Sequence, residues 1–221
     1  MISIELKKRI ITSIALLTCL ALMYFYFFIL IIFLILISLI SWIEFNGLIL
    51  KIFKKRNLKE KLYKFILKSI SLLYLSLFCF IIIIVRSENL ESEVFIIYSL
   101  FVSINSDIGG LLFGKVFKGR KLTKISPNKT ISGSIGSFIF SFALIPFFHH
   151  YFDIISILSL IIITILISLT SQLGDLFFSF LKRKANVKNT SDLLPGHGGF
   201  IDRIDGILFA VPIGFLLFRI I

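Results

Sequence analysis

Uncharged apolar runs of bilayer-crossing length recur along this chain and leave little room for a water-soluble core. They cover residues 10–43, 69–85, 94–106, 130–152, 154–174 and 206–218 of 221. A helix needs about 20 residues to cross a hydrocarbon core, and most of the runs approach or exceed that length. The chain is 57% hydrophobic and 16% charged, whereas soluble domains are about 45–50% apolar. Lipid is therefore the expected solvent.

The run over 10–43 is too long for one crossing. At about 1.5 Å per residue its helix would reach about 50 Å, against a core about 30 Å thick. A hairpin turning near Met23 resolves the excess. Helical spans are then expected at 10–22, 24–43, 68–86, 94–114, 131–150, 153–181 and 200–220. The fold class that follows is an all-α polytopic membrane protein of about seven transmembrane helices with no soluble domain. A cleaved signal peptide is the other reading of Lys7, Lys8 and Arg9 before an apolar region. No small-x-small site leads into a polar mature start, so the segment is expected to remain as a span. Cys19 and Cys79 fall inside apolar runs, where a thiol behaves as a small hydrophobe, and they suggest neither a disulfide framework nor a zinc site.

A formal charge of +12 raises the question of nucleic acid. The Lys and Arg residues, however, crowd the N-terminus, the segment 51–68 and the loops 115–129 and 182–188. Seven spans place all of these on one side. The other side receives Glu88, Glu91, Glu93, His149, His150 and Asp153, with Arg86 and Arg219 as its cations. The positive-inside rule accounts for this distribution, puts the N-terminus in the cytoplasm, and leaves no call for nucleic acid.

Charged residues within spans cost several kcal/mol at the bilayer centre and mark functional positions by default. Asp107, Asp175, Asp202 and Asp205 stand near the cytoplasmic helix ends. Asp202 and Asp205 are three residues apart and project from one helix face. Asp175 lies within about two turns of the end of its own span. Such carboxylates suit a hard cation such as magnesium, completed by water and substrate phosphates, better than zinc. The plainer reading pairs them with Lys182 or Arg203.

Two loops offer phosphate contacts. Leu194-Pro195-Gly196-His197-Gly198-Gly199 joins a proline turn to three glycines ahead of a helix whose first turn holds Asp202. Glycine permits close backbone approach, and a helix N-terminus presents free amides to phosphate. Lys182, Arg183 and Lys188 precede it and can neutralise phosphate charge, and His197 can donate to a phosphate oxygen. Ser126-Pro127-Asn128-Lys129-Thr130 also opens a span with hydroxyls, an ammonium and amides, although Ser126 and Thr130 serve equally well as helix caps.

The pattern Ser179-Phe180-Leu181-Lys182-Arg183, then Lys188, then Pro195 through Asp205 resembles the C-terminal signature of phosphatidate cytidylyltransferases, the CDP-diglyceride synthetases. A second similarity covers Asn105, Asp107, Gly114, Phe117 and 126–130; a third is Gly174-Asp175-Leu176; the opening Leu6 through Ile11 resembles the family's N-terminus. Asn189, Ser132 and Phe178 depart from the pattern where acidic residues are usual, and the chain is shorter than many members.

The resemblance implies one membrane-embedded cytidylyltransferase domain over 1–221, with N-terminal helices in 1–90 and catalytic helices and loops in 94–221. It implies transfer from CTP to phosphatidate in phospholipid biosynthesis, at the inner (cytoplasmic) membrane. Asp175, Asp202 and Asp205 would bind Mg2+, with room for a monovalent cation such as K+. Lys182, Lys188, His197 and Arg203 would be catalytic. Asp107, Ser126, Lys129, Thr130, Ser179, Arg183, Gly196, Gly198 and Gly199 would line the substrates. Partners would be CTP, phosphatidate, membrane lipids and a second copy in a homodimer. A CTP-dependent lipid kinase is a second enzyme reading and a transporter with intramembrane carboxylates is a third. A CDP-alcohol phosphotransferase is discarded, because the carboxylate-rich motif that joins an Asp-Gly to an Ala-Arg element is not found here.

Overall fold

The fold is that of a computed structural model, which describes the chain except residues 1–3, 56, 89, 153–154, 195–197 and 221; residues 4–10, 12, 13, 16 and 91 are described by backbone alone. The expectations on Gly196 and His197 lie outside the described residues. Among the described residues the regular structure is helical: α1 (Ile4–Phe25), α2 (Phe27–Ile52), α3 (Leu58–Ser87), α4 (Leu90–Phe117), α5 (Ile131–Phe142), the short α6 (Ile145–Phe148), α7 (Ile157–Lys184) and α8 (Ile201–Ile220). Seven of these exceed ten residues, in register with the expected spans. Five stretches, Phe27–Ile52, Leu58–Ser87, Ser92–Phe117, Ile131–Tyr151 and Ile157–Lys184, are long and apolar enough to cross a bilayer.

The helix breaks have local causes. The long first run divides at Tyr26, whose extended backbone (φ −122°, ψ 106°) ends α1 and starts α2, three residues beyond the expected turn. The expected span 131–150 is interrupted after Phe142, because Pro146 has no N–H to give that residue's carbonyl. A short helix and a single 3-10 turn, His149–Tyr151, carry the chain onward. Helix α3 starts at Leu58, well before its apolar run, so its first turns carry Lys59, Glu60, Lys61 and Lys64.

Two compact units make up the chain: Met1–Phe80 with Leu181–Ile204, and Ile81–Phe180 with Asp205–Ile221. In the first, the Trp42 indole donates to the Lys68 carbonyl at 3.2 Å and the Ser38 hydroxyl meets the Cys79 sulfur at 2.8 Å, tying α2 to α3. In the second, Phe95, Tyr98, Val102, Phe152, Ile155, Leu160, Ile163, Ile167 and Ala210 form the buried core. The Tyr98 hydroxyl is satisfied there by Thr164 at 2.5 Å.

Helices α4 and α5 touch backbone to backbone. A Cβ on Gly109 would lie 2.4 Å from the Gly136 carbonyl oxygen, and one on Gly133 would lie 2.7 Å from that of Gly110. Small residues at this spacing let membrane helices approach closely, where lipid offers no hydrophobic drive to pair them. The approach brings Ser137 Oγ within 2.7 Å of the Ser106 carbonyl, a hydrogen bond between the two helices.

Candidate active site

The α4–α5 contact in the second unit frames a cavity of about 590 Å³. Asp107, Gly110, Gly114 and Lys115 of α4 line it, together with Asn128, Lys129 and Thr130 of the loop, Ser134 of α5, and Gln172 and Asp175 of α7. The loop is fixed by its own backbone. Leu122 N donates to the Lys129 carbonyl at 2.8 Å, Ile131 N to that of Arg120 at 3.0 Å, and Lys129 N to that of Ser126 at 3.0 Å. Gly119, at φ +107°, makes the bend that an L side chain resists.

Lys129 forms an ion pair with Asp175, and Ser179, one turn further along α7, lies 3.4 Å from the same carboxylate. Thr130 is the cap of α5, accepting from Gly133 N at 3.0 Å, while also bordering the cavity. Of the two readings open for Thr130, capping is realised. Ser126 instead closes the turn through its carbonyl and caps no helix. Ser132, at a position where the resemblance leads one to expect an acid, donates to the Lys118 carbonyl.

Asp205 is buried in the same unit and accepts from Gly206 N at 2.9 Å. Its carbonyl oxygen sits 2.6 Å from where a Cβ on Gly174 would be, so α8 is pressed against α7 beside Asp175. Gly206 continues the contact, with a Cβ there 2.5 Å from Ser171 Oγ.

The first unit holds Asp202 and the glycine turn. Lys182 Nζ lies 2.6 Å from Asp202 Oδ1. Asp202 Oδ2 accepts from Thr190 N at 2.9 Å, Thr190 Oγ1 at 3.0 Å and Gly199 N at 3.0 Å. The turn closes by paired backbone bonds between Leu194 and Gly198 (2.9 and 3.1 Å), with Gly198 at φ +83°. Arg183, Lys188 and Arg203 are exposed.

One expectation needs correction here. The amides at the start of α8 are not free for phosphate: Gly199 N serves Asp202, while Phe200 N and Ile201 N donate at 2.8 Å each to the carboxylate of Glu44. Glu44 also accepts from Ser191 Oγ at 2.5 Å and lies 3.1 Å from Thr190 Oγ1, whose one proton it shares with Asp202. Sequence reasoning missed it, as it missed Ser134 and Gln172. Its one visible signal is a carboxylate directly after an uncharged run of more than thirty residues. Ser134 and Gln172 join across α5 and α7 at 2.6 Å, a pairing that spacing along the chain does not reveal.

The sequence matches the model of the Cytidylyltransferase family over residues 3–221. It is 41% identical over 131 residues to a phosphatidate cytidylyltransferase of Staphylococcus aureus (strain COL), covering 58% of this chain and 49% of that one. For the protein of the same name in Bacillus subtilis (strain 168) the figures are 37% over 135 residues, 60% and 50%. In Staphylococcus haemolyticus (strain JCSC1435) they are 40% over 131 residues, 58% and 49%. The chain spans about half the length of the curated relatives it matches. A match that runs from residue 3 to residue 221, through every helix described above, makes this multi-pass membrane protein a member of the Cytidylyltransferase family.

Proposed function

We propose that this chain makes CDP-diacylglycerol from CTP and phosphatidate, with release of pyrophosphate. The observation that carries the reading is the family match over residues 3–221, joined by relatives named phosphatidate cytidylyltransferase. An oxygen of the lipid phosphomonoester attacks the α-phosphorus of CTP, a new P–O bond forms, and the bond from that phosphorus to the bridging oxygen breaks to release pyrophosphate. A phosphomonoester has a second pKa of about 6 and is largely dianionic at neutral pH, so no strong general base is required.

What the chain must supply is alignment and compensation of charge, the main terms in phosphoryl transfer. Lys129 and Lys182 stand beside carboxylates, and Arg183, Lys188 and Arg203 are exposed cations on or beside the signature. These groups, with His197, are assigned to the triphosphate and the departing pyrophosphate. The lining of the second unit's cavity supports the assignment of Asp107, Lys129 and Thr130 to the substrates, with Ser126 and Ser179 beside them. Gly198 and Gly199 shape the turn in the first unit, and Gly196 is assigned to the substrates with them.

The donors around the cavity are carboxylate, amide and hydroxyl oxygens, without Cys or His, a set that fits magnesium. Among the described residues no three His, Cys, Asp or Glu side chains form a ready-made cage. Magnesium takes one or two carboxylates and completes its shell with water and phosphate oxygens. We assign metal binding to the carboxylates that the resemblance marks, Asp175 and Asp205 in the second unit and Asp202 in the first, with K+ as a second cation. Bound there, magnesium would neutralise phosphate charge as a Lewis acid. The Lys and Arg bias of the loops supports an inner-membrane location with the N-terminus cytoplasmic. Partners in this reading are CTP, phosphatidate, the surrounding lipids and a second copy of the chain.

The test is the purified protein in phosphatidate-containing vesicles with magnesium and CTP labelled at either the α- or the γ-phosphorus. Label from the α position alone is expected in the lipid. Label from the γ position would make the protein a lipid kinase, and no label from either would end the proposal.

A further inference from the structure

Glu44 lies on α2 with 6% of its surface exposed. A carboxylate so placed is costly unless its oxygens meet donors, and four donors surround this one, the Thr190 hydroxyl shared with Asp202. Oε1 takes Ser191 Oγ at 2.5 Å and Phe200 N at 2.8 Å, while Oε2 takes Thr190 Oγ1 at 3.1 Å and Ile201 N at 2.8 Å. Every donor comes from the segment that carries the glycine turn and the start of α8. Gly199 lets that segment wrap the carboxylate: a Cβ there would lie 1.8 Å from Thr190 Oγ1 and 2.9 Å from each Glu44 oxygen.

Thr190 links this carboxylate to the one in the signature. Its hydroxyl lies 3.1 Å from Glu44 Oε2 and 3.0 Å from Asp202 Oδ2, its amide donates to Asp202 at 2.9 Å, and Asp202 in turn holds Lys182 at 2.6 Å. Glu44 also satisfies two orphan amides at the α8 N-terminus and offsets the positive end of the helix dipole. That end is thereby closed to phosphate.

We propose that Glu44 is a positioning residue for the transfer reaction: through Thr190 and the first amides of α8 it fixes the orientation of Asp202 and Lys182 without touching substrate. The inference rests on the cytidylyltransferase reading. Replacement by Gln keeps the shape but puts an NH2 where an acceptor stood, and in either flip that NH2 faces a backbone amide that can only donate, Phe200 N or Ile201 N. That bond then fails, the hydroxyl beside it must turn to accept, and the loop must move. A displacement of about 1 Å in aligned groups can lower a rate about a hundredfold.

The experiment compares kcat and KM for CTP, with thermal unfolding in detergent, for the wild type, Glu44→Gln, Thr190→Val, Thr190→Ser and the double variant Glu44→Gln/Thr190→Val. Glu44→Gln and Thr190→Val should each lower kcat by about a hundredfold, with KM for CTP changing far less. Thr190→Ser, which keeps the hydroxyl, should restore most of the rate. The double variant should be little worse than the worse single one, as for residues acting through one network. If Glu44→Gln fails to fold, the Thr190 pair decides alone. The role of Glu44 is overturned if Thr190→Val keeps the wild-type kcat, or if Thr190→Ser loses as much as Thr190→Val. A wild-type protein that transfers no cytidylyl group would overturn the reaction as well, so the two failures are distinguishable.

Discussion

Lys129 and Asp175 each have little more than a quarter of their side-chain surface exposed, and they are joined as an ion pair at the edge of the second unit's cavity. Partly exposed pairs of this kind stabilise a fold by about 0–1 kcal/mol, so stability alone is a weak reason for the pair to exist. A preorganised ammonium beside developing phosphate charge is worth far more: removing one such donor costs about a hundredfold or more in rate. Lys129→Met should therefore lower kcat/KM for CTP about a hundredfold while leaving the thermal midpoint close to that of the wild type. Lys129→Arg, which keeps the charge but changes its geometry, should fall between them. Steady-state kinetics beside a melting curve make the check, and a Met variant that melts early yet transfers at full rate would assign the pair to the fold.

At the scale of elements, the account turns on glycines that let helices touch. Gly136 has no space for a side chain, since a Cβ there would lie 2.4 Å from Phe113 Cβ and 2.8 Å from the Gly109 carbonyl oxygen. Gly47 on α2 has nothing within 4 Å. Gly136→Leu should destabilise the protein by about 1–3 kcal/mol or more through overpacking, and Gly47→Ala should leave stability unchanged or raise it by about 0.5–1 kcal/mol through helix propensity. Thermal unfolding of both variants in one detergent tests the contrast. The helices themselves were legible in the sequence because lipid demands long uncharged runs, and Asp107, Asp175 and Lys129 stood out as charges at the ends of those runs. The break at Tyr26 was not legible to the residue, because neither Pro nor Gly marks it. Pro146 is a local signal for the end of α5, acting on the carbonyl four residues earlier, and the expected span 131–150 ran through it. Glu44 stayed hidden for a different reason: its donors lie 146 to 157 residues further along the chain, and no spacing rule connects them.

At the scale of the molecule, each unit has its own carboxylate with a lysine partner, Lys129 with Asp175 in one and Lys182 with Asp202 in the other. In the proposed reaction both pairs would have a task, charge compensation around phosphates, and diacyl substrates would suit a chain whose helices are built for lipid. The most direct measurement is the stoichiometry of pyrophosphate and CDP-diacylglycerol formed by the purified chain from CTP and phosphatidate, compared with Asp175→Asn and Asp202→Asn. Equal yields of the two products that require phosphatidate, with little of either from the two variants, are predicted. Pyrophosphate released without a lipid product, or undiminished yields from either variant, would contradict the account.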